Sequence, residues 1–116
     1  ETIEEPRELV AVLTRESRPD RPILVDCLTL WLSYVMFHDI SAEEELQRLM
    51  DLLQSDALRG PVVFVSNEIG LGVIPDNEVS RIFVDAQGEL NQLMAKLADR
   101  VVLVSAGLPQ VLKDEN

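Results

Sequence analysis

Three short apolar runs constrain the fold of this chain more than any other feature of its sequence. They occupy residues 22–26, 61–66 and 100–105, and each contains consecutive apolar residues instead of alternating apolar and polar ones. A strand has this pattern when both of its faces are buried, as in a parallel sheet that helices cover. The runs therefore predict a mainly parallel sheet with flanking helices.

Periodic segments between the runs predict the helices. Residues 42–54 follow Ser41, with Glu44 three positions later, which is a capping-box pattern. Residues 28–37 are apolar on nearly every side and predict a buried helix. A further helix over residues 78–97 is predicted by an apolar stripe at helical spacing within residues 79–97. The stripe consists of Val79, Ile82, Phe83, Ala86, Leu90, Leu93, Met94 and Leu97.

The order and number of the predicted elements indicate one α/β domain. Pro6 suits the first turn of another helix, so the order reads helix, strand, helix, helix, strand, helix, strand. A chain of 116 residues has the length of one domain, residues 1–116. Three strands are few for an open α/β sheet, and the sequence does not begin with Met. We therefore expect either further residues of a longer protein or a partner chain to complete the sheet.

Charge and composition exclude several classes of function. The 10 Lys and Arg residues against 21 Asp and Glu give a net charge of −11, which disfavours nucleic-acid binding because acidic groups repel phosphates. No apolar run approaches the roughly 18 residues that span a membrane. Cys27 is the only cysteine and His38 the only histidine, so the chain lacks the ligands for an internal disulfide or a structural zinc site. We expect a cytoplasmic protein.

Polar residues follow two of the predicted strands, at the edge where parallel α/β sheets bind ligands. Asp26 ends the first run, and an apolar strand that ends in a carboxylate can hold nucleotide-bound magnesium. The alternative for Asp26 is the N-cap of the next helix. Residues 66–72 follow the second run and form either a ligand-binding loop or a structural turn. The candidate residues of this loop are Ser66, Asn67, Glu68 and Gly70.

A third polar set, Arg81, Asp85 and Asn91, lies on the helix predicted over residues 78–97. Arg81 and Asp85 are four residues apart and share a helix face, so the alternative to a functional role is a solvated surface pair. For His38, a helix C-terminal or packing role outweighs catalysis. Packing roles are also expected for Trp31, Met36 and Phe37.

Segments from the whole chain match the motifs of one known family. They are residues 65–77 (Val-Ser-Asn-Glu-Ile-Gly-Leu-Gly-Val-Ile-Pro-Asp-Asn), Arg81-x-Phe83-x-Asp85-x-x-Gly88-x-x-Asn91-Gln92, Ala98-Asp99-x-Val101, residues 24–32 and Thr2-x-Glu4-Glu5-Pro6. By these motifs the chain resembles the bifunctional adenosylcobinamide kinase and adenosylcobinamide-phosphate guanylyltransferase. The resemblance implies a RecA-like P-loop NTPase fold and a role in cobalamin biosynthesis.

The resemblance also implies a reaction and its ligands. Such an enzyme phosphorylates the aminopropanol hydroxyl of adenosylcobinamide with a nucleoside triphosphate. It then takes GMP from GTP on a histidine and passes it to that phosphate, giving adenosylcobinamide-GDP. The implied ligands are adenosylcobinamide, a guanine nucleotide, and GTP or ATP with Mg2+, and the implied assembly is a homotrimer. By position, Glu4 and Asp26 match the family's two nucleotide-contacting carboxylates, while Asn67 and Glu68 match its strand-end loop.

Two parts of the family pattern lie upstream of the matched region, namely the P-loop and the guanylylated histidine. The sequence contains no Gly-x-x-x-x-Gly-Lys-Ser/Thr, and His38 lies in a different segment. Where the family motif reads Phe-Arg-Asp, residues 83–85 read Phe-Val-Asp. The chain thus resembles the carboxyl-terminal portion of a larger domain, and alone we expect it to be inactive and poorly stable or self-associating. The alternative is a non-catalytic α/β module that binds a partner chain.

Overall fold

The computed structural model describes residues 3, 8–38, 41–68 and 77–115. In these residues the chain forms helices and two separate sheets. The helices are α1 (Leu9–Glu16), α2 (Leu28–Phe37), α3 (Ala42–Leu53) and α4 (Glu78–Leu97). The strands are β1 (Ile23–Asp26), β2 (Val62–Val65), β3 (Arg100–Ser105) and β4 (Leu108–Asp114). The predicted α/β class and the helix over residues 78–97 are confirmed. Pro6, where a helix start is predicted, lies outside the described residues.

The parallel sheet consists of β1 and β2 in the described part of the chain. The two strands are in register from Ile23 opposite Val62 to Asp26 opposite Val65. Because parallel strands end at the same edge, the residues that follow Asp26 and Val65 come close together. This pairing confirms the predicted parallel sheet and places the ends of the first two apolar runs side by side.

The two faces of this sheet differ in burial. On one face, the half-buried Val25 and Phe64 pack against the core. On the other face, Leu24 is 65% exposed and Val63 56% exposed. The prediction that both faces are buried is therefore wrong for the described residues. Successive side chains of a strand point to opposite faces, and helices cover only one face here.

The third apolar run pairs with β4 and not with the parallel sheet. β3 and β4 form an antiparallel hairpin in which Ser105 lies opposite Leu108. The two-residue loop has positive φ at both positions, 53° at Ala106 and 76° at Gly107, as hairpin turns of type I′ require. The prediction of a third parallel strand is wrong for the described residues, in which β3 pairs only with β4, the segment that follows this tight turn.

The core lies where the four helices meet the covered face of the parallel sheet. Its fully buried side chains include Leu13, Leu28, Leu32, Val35, Leu49 and Leu90. Trp31 is buried at 4% exposure, as predicted, and Met36 is half-buried, but Phe37 is 58% exposed and Leu30 is 70% exposed. The prediction that residues 28–37 are buried on nearly every side is wrong, because α2 packs one face against α3 and α4. Among the described residues, no helix combines the length and apolar character that crossing a bilayer requires.

Side chains at helix ends fix where the elements begin and how they join. The Ser41 hydroxyl accepts a hydrogen bond from the backbone N–H of Glu44 (3.3 Å), which confirms Ser41 as the N-cap of α3. Ser17, which is 3% exposed, follows α1, and its hydroxyl accepts from the backbone N–H groups of Arg59 (2.7 Å) and Gly60 (3.3 Å). The end of α1 is thereby tied to the segment that leads into β2.

Lys113 ties the hairpin to the end of α4. Its Nζ donates hydrogen bonds to the backbone carbonyls of Ala95 (3.1 Å) and Lys96 (3.0 Å), and it forms an ion pair with Glu115 (2.9 Å). The last carbonyls of a helix lack partners within the helix and carry partial negative charge, so a cation there is favourable. The hairpin is thus held against α4 by a charge-assisted contact.

Candidate functional site at the carboxyl edge of the parallel sheet

Asp26 ends β1 with its side chain exposed at the carboxyl edge of the sheet. It is not the N-cap of α2. That position belongs to Cys27, whose Sγ accepts a hydrogen bond from the backbone N–H of Leu30 (3.4 Å). The capping interpretation of Asp26 is therefore wrong, and its carboxylate is left at the edge where a ligand can reach it.

Ser66 follows β2 and joins a cluster of polar side chains on α4. Its hydroxyl donates to Asn91 Oδ1 (2.7 Å). Gln87 Nε2 donates to Ser66 Oγ (2.8 Å) and to Asn91 Oδ1 (2.9 Å). These three side chains therefore form a closed triangle of hydrogen bonds between the end of β2 and the middle of α4.

The backbone of Asn67 is fixed from two sides. Asn91 Nδ2 donates to the carbonyl oxygen of Asn67 (3.0 Å), and the Asn67 N–H donates to Thr29 Oγ1 (3.0 Å). Thr29 lies in the first turn of α2, directly after β1. The first turn of α2, the end of β2 and the middle of α4 therefore meet at one place, beside Asp26. We call Thr29, Ser66, Asn67, Gln87 and Asn91 the strand-end network.

Comparison with known sequences identifies the family. The sequence profile described as cobinamide kinase / cobinamide phosphate guanyltransferase matches residues 1–112, nearly the whole chain. The chain belongs to this family. The motifs that suggested the resemblance include most of the strand-end network, so sequence match and geometry concern the same residues.

Curated relatives agree with this assignment. The bifunctional adenosylcobalamin biosynthesis protein CobP of Pseudomonas aeruginosa is 44% identical over 114 residues, covering 98% of this chain and 66% of its own length. CobU of Salmonella typhimurium, also named as bifunctional, is 32% identical over 122 residues, covering 92% of this chain and 66% of its own. CobU of Escherichia coli is 28% identical over 127 residues. The chain spans about two thirds of the length of the curated relatives it matches.

The remaining candidate residues of this family member lie in different surroundings. Arg81 and Asp85 are exposed on α4, and among the described residues no ion pair joins them. Glu68 is exposed at the end of the described loop. Glu4 and Gly70 lie outside the described residues. Of the third predicted set, the structure brings only Asn91 into the strand-end network.

His38 has the helix-end role that its position predicts. It is the C-cap residue of α2, and its Nδ1 lies 2.9 Å from the carbonyl oxygen of Tyr34. Its ring also stacks on the Tyr34 ring, with centroids 3.9 Å apart and an angle of 15° between the planes. Both contacts hold the histidine at the end of its own helix.

Gln87 and Thr29 belong to the network but were not among the predicted site residues. Gln87 is fully buried, although it stands between Phe83 and Leu90 on the apolar stripe of α4. A polar residue on an otherwise apolar stripe is a sequence signal, because burial of an amide requires hydrogen-bond partners. For Thr29 the sequence carries no comparable signal.

The donor atoms at this edge suit magnesium in a nucleotide complex. Among the described residues, no group of three or more His, Cys, Asp or Glu side chains could hold a metal ion unaided. Magnesium in phosphate-transfer sites is bound by one or two carboxylates together with the phosphates, and it retains several waters. The single exposed carboxylate of Asp26 at the end of β1 fits that requirement.

Proposed function

We propose that this chain is part of an enzyme that phosphorylates adenosylcobinamide and transfers GMP from GTP to adenosylcobinamide phosphate, giving adenosylcobinamide-GDP. The match of the cobinamide kinase / guanyltransferase profile to residues 1–112 supports this proposal. The relatives in Pseudomonas aeruginosa and Salmonella typhimurium are both named as bifunctional biosynthesis proteins. Their names do not favour the alternative of a non-catalytic module.

The observation that carries the proposal is that β1 and β2 end at the same edge, with Asp26 opposite Val65 and Ser66 directly after Val65. Their edge of the sheet is where α/β proteins bind nucleotides, and Asp26 is exposed there without a capping role. In this proposal Asp26 and Glu4 are the carboxylates that bind the guanine nucleotide. Bound magnesium would neutralise charge on the nucleotide phosphates, and Asp26 is the residue that would hold it.

The strand-end segment has a supporting part in the proposed site. Ser66, Asn67, Glu68 and Gly70 form the loop beside the nucleotide. Asn91 holds that loop through the Asn67 carbonyl. Arg81 and Asp85, exposed on the same helix, assist from its surface. The proposed assembly is a homotrimer.

Asp26→Asn tests the nucleotide role in the enzyme that carries this chain. The amide keeps the shape of the side chain but removes the charge, so we expect GMP transfer from radiolabelled GTP to fall by about tenfold or more. The melting temperature should stay unchanged, because Asp26 is exposed and Cys27 provides the helix cap. Asp20→Asn is the matched control, since Asp20 is an exposed aspartate in a turn before β1.

Two results would count against the proposal, and they can be told apart. Full nucleotide binding and transfer by the Asp26→Asn variant would show that Asp26 is not the nucleotide carboxylate. Absence of both adenosylcobinamide phosphorylation and GMP transfer in the unmodified enzyme would refute the function itself.

A further inference from the structure

Gln87 is the one member of the strand-end network that is fully buried, and its amide hydrogens are both used. Nε2 donates one hydrogen to Ser66 Oγ and the other to Asn91 Oδ1. Its Oε1 atom is also buried and has no hydrogen-bond partner among the described residues. An acceptor buried without a partner costs stability. Packing alone therefore gives no reason for glutamine here, since Leu or Met would continue the apolar stripe without that cost.

The hydrogen bonds of Gln87 determine what Ser66 can offer a ligand. A serine hydroxyl has one hydrogen and two acceptor lone pairs. The hydrogen of Ser66 goes to Asn91 Oδ1, and one lone pair accepts from Gln87. Asn91 Oδ1 then accepts two hydrogen bonds, so it cannot take another. What remains on the exposed Ser66 is a single lone pair, which can accept a hydrogen bond but not give one.

We propose that Gln87 is a positioning residue that fixes the Ser66 hydroxyl as an acceptor and, through Asn91, holds Asn67. This inference rests on the proposed function and deepens it. An acceptor at the end of β2 pairs with a hydrogen-bond donor of the bound ligand, such as a hydroxyl, an N–H group or a water held by a cation. It does not bind a phosphate oxygen, which is itself an acceptor.

Amide hydrogen exchange in the protein that carries this chain tests the positioning role without any assay of activity. The Asn67 N–H donates to Thr29 Oγ1. In the Gln87→Met variant we expect this N–H to exchange about tenfold faster or more. The amide of Leu90, which lies in the core of α4, should keep its exchange rate. Gln92→Met on the exposed face of the same helix is the matched control and should change neither rate. An unchanged Asn67 rate would overturn the proposal. Equal acceleration at Asn67 and Leu90 would also overturn it, because Gln87 would then serve only packing.

A double-mutant cycle in the enzyme tests whether Gln87 acts through Ser66. We expect Gln87→Met and Ser66→Ala each to lower kcat for GMP transfer, and the loss in the double variant to be smaller than the product of the two single losses. Losses that multiply would overturn the proposal, since Gln87 would then act independently of Ser66. If the unmodified enzyme transfers no GMP, the proposed function fails, and hydrogen exchange at Asn67 still decides the role of Gln87.

Discussion

The junction between α1 and the segment that leads into β2 contains a buried hydroxyl, that of Ser17. Its oxygen accepts from two backbone N–H groups, at 2.7 Å from Arg59 and 3.3 Å from Gly60. Ser17→Ala leaves both N–H groups without this acceptor. An unsatisfied buried donor costs about 1–3 kcal/mol, and since these bonds are only partly buried, we take about 1 kcal/mol for each. The expected loss in free energy of unfolding is therefore about 2 kcal/mol.

Ser41→Ala is the matched control for this prediction. Ser41 also accepts from a backbone N–H, that of Glu44, but it is exposed and makes one such bond, so its loss should cost about 1 kcal/mol. For a chain of this length, each kcal/mol lowers the melting temperature by about 4 °C. Urea denaturation and thermal melts should therefore place Ser17→Ala below Ser41→Ala. If Ser17→Ala loses no more stability than Ser41→Ala, the junction does not hold β2 as argued.

Two further contrasts concern single sites. A Cβ on Gly60 would overlap the backbone carbonyl of Arg18, so Gly60→Ala should destabilise by about 1–3 kcal/mol in urea denaturation. Gly88→Ala, with open space around the added carbon in mid-helix, should stabilise by about 1 kcal/mol, and the same sign for both variants would contradict this. Lys113→Met removes two hydrogen bonds to the end of α4 and should cost about 1–2 kcal/mol, with faster exchange of the hairpin amides. Unchanged hairpin exchange would show that Lys113 does not hold the hairpin.

The sequence could predict strands but not all of their partners. Residues 22–26 and 61–66 pair in parallel as expected, because two apolar runs separated by helices leave few other arrangements. The run at residues 100–105 has the same apolar pattern, and that pattern does not reveal which strand lies beside it. Its true partner, β4, contains Pro109 and polar residues, and Ala106–Gly107 is not the common Asn-Gly or Asp-Gly turn signal.

The sequence predicted those residues of the candidate site that lie at the ends of strands. Asp26 and Ser66 follow from the rule that ligands bind at the carboxyl ends of parallel strands. Thr29 could not be found this way, since its contact with Asn67 depends on how closely the first turn of α2 approaches the end of β2. Gln87 was visible as a polar residue on the apolar stripe. Its partners became clear only from the packing of α4 beside the sheet.

The two sheets differ in the length of chain that lies between their paired strands. The hairpin joins neighbouring segments through Ala106–Gly107, whereas the pairing of β1 with β2 must enclose residues 27–61. Local pairing loses little loop entropy and forms early, while closure of a long segment depends on helices that are already packed. We therefore expect the hairpin and α4 to assemble first and the parallel pair last. The shared carboxyl edge of β1 and β2 exists only after that last step, so we expect partial unfolding to remove the site before it removes the hairpin.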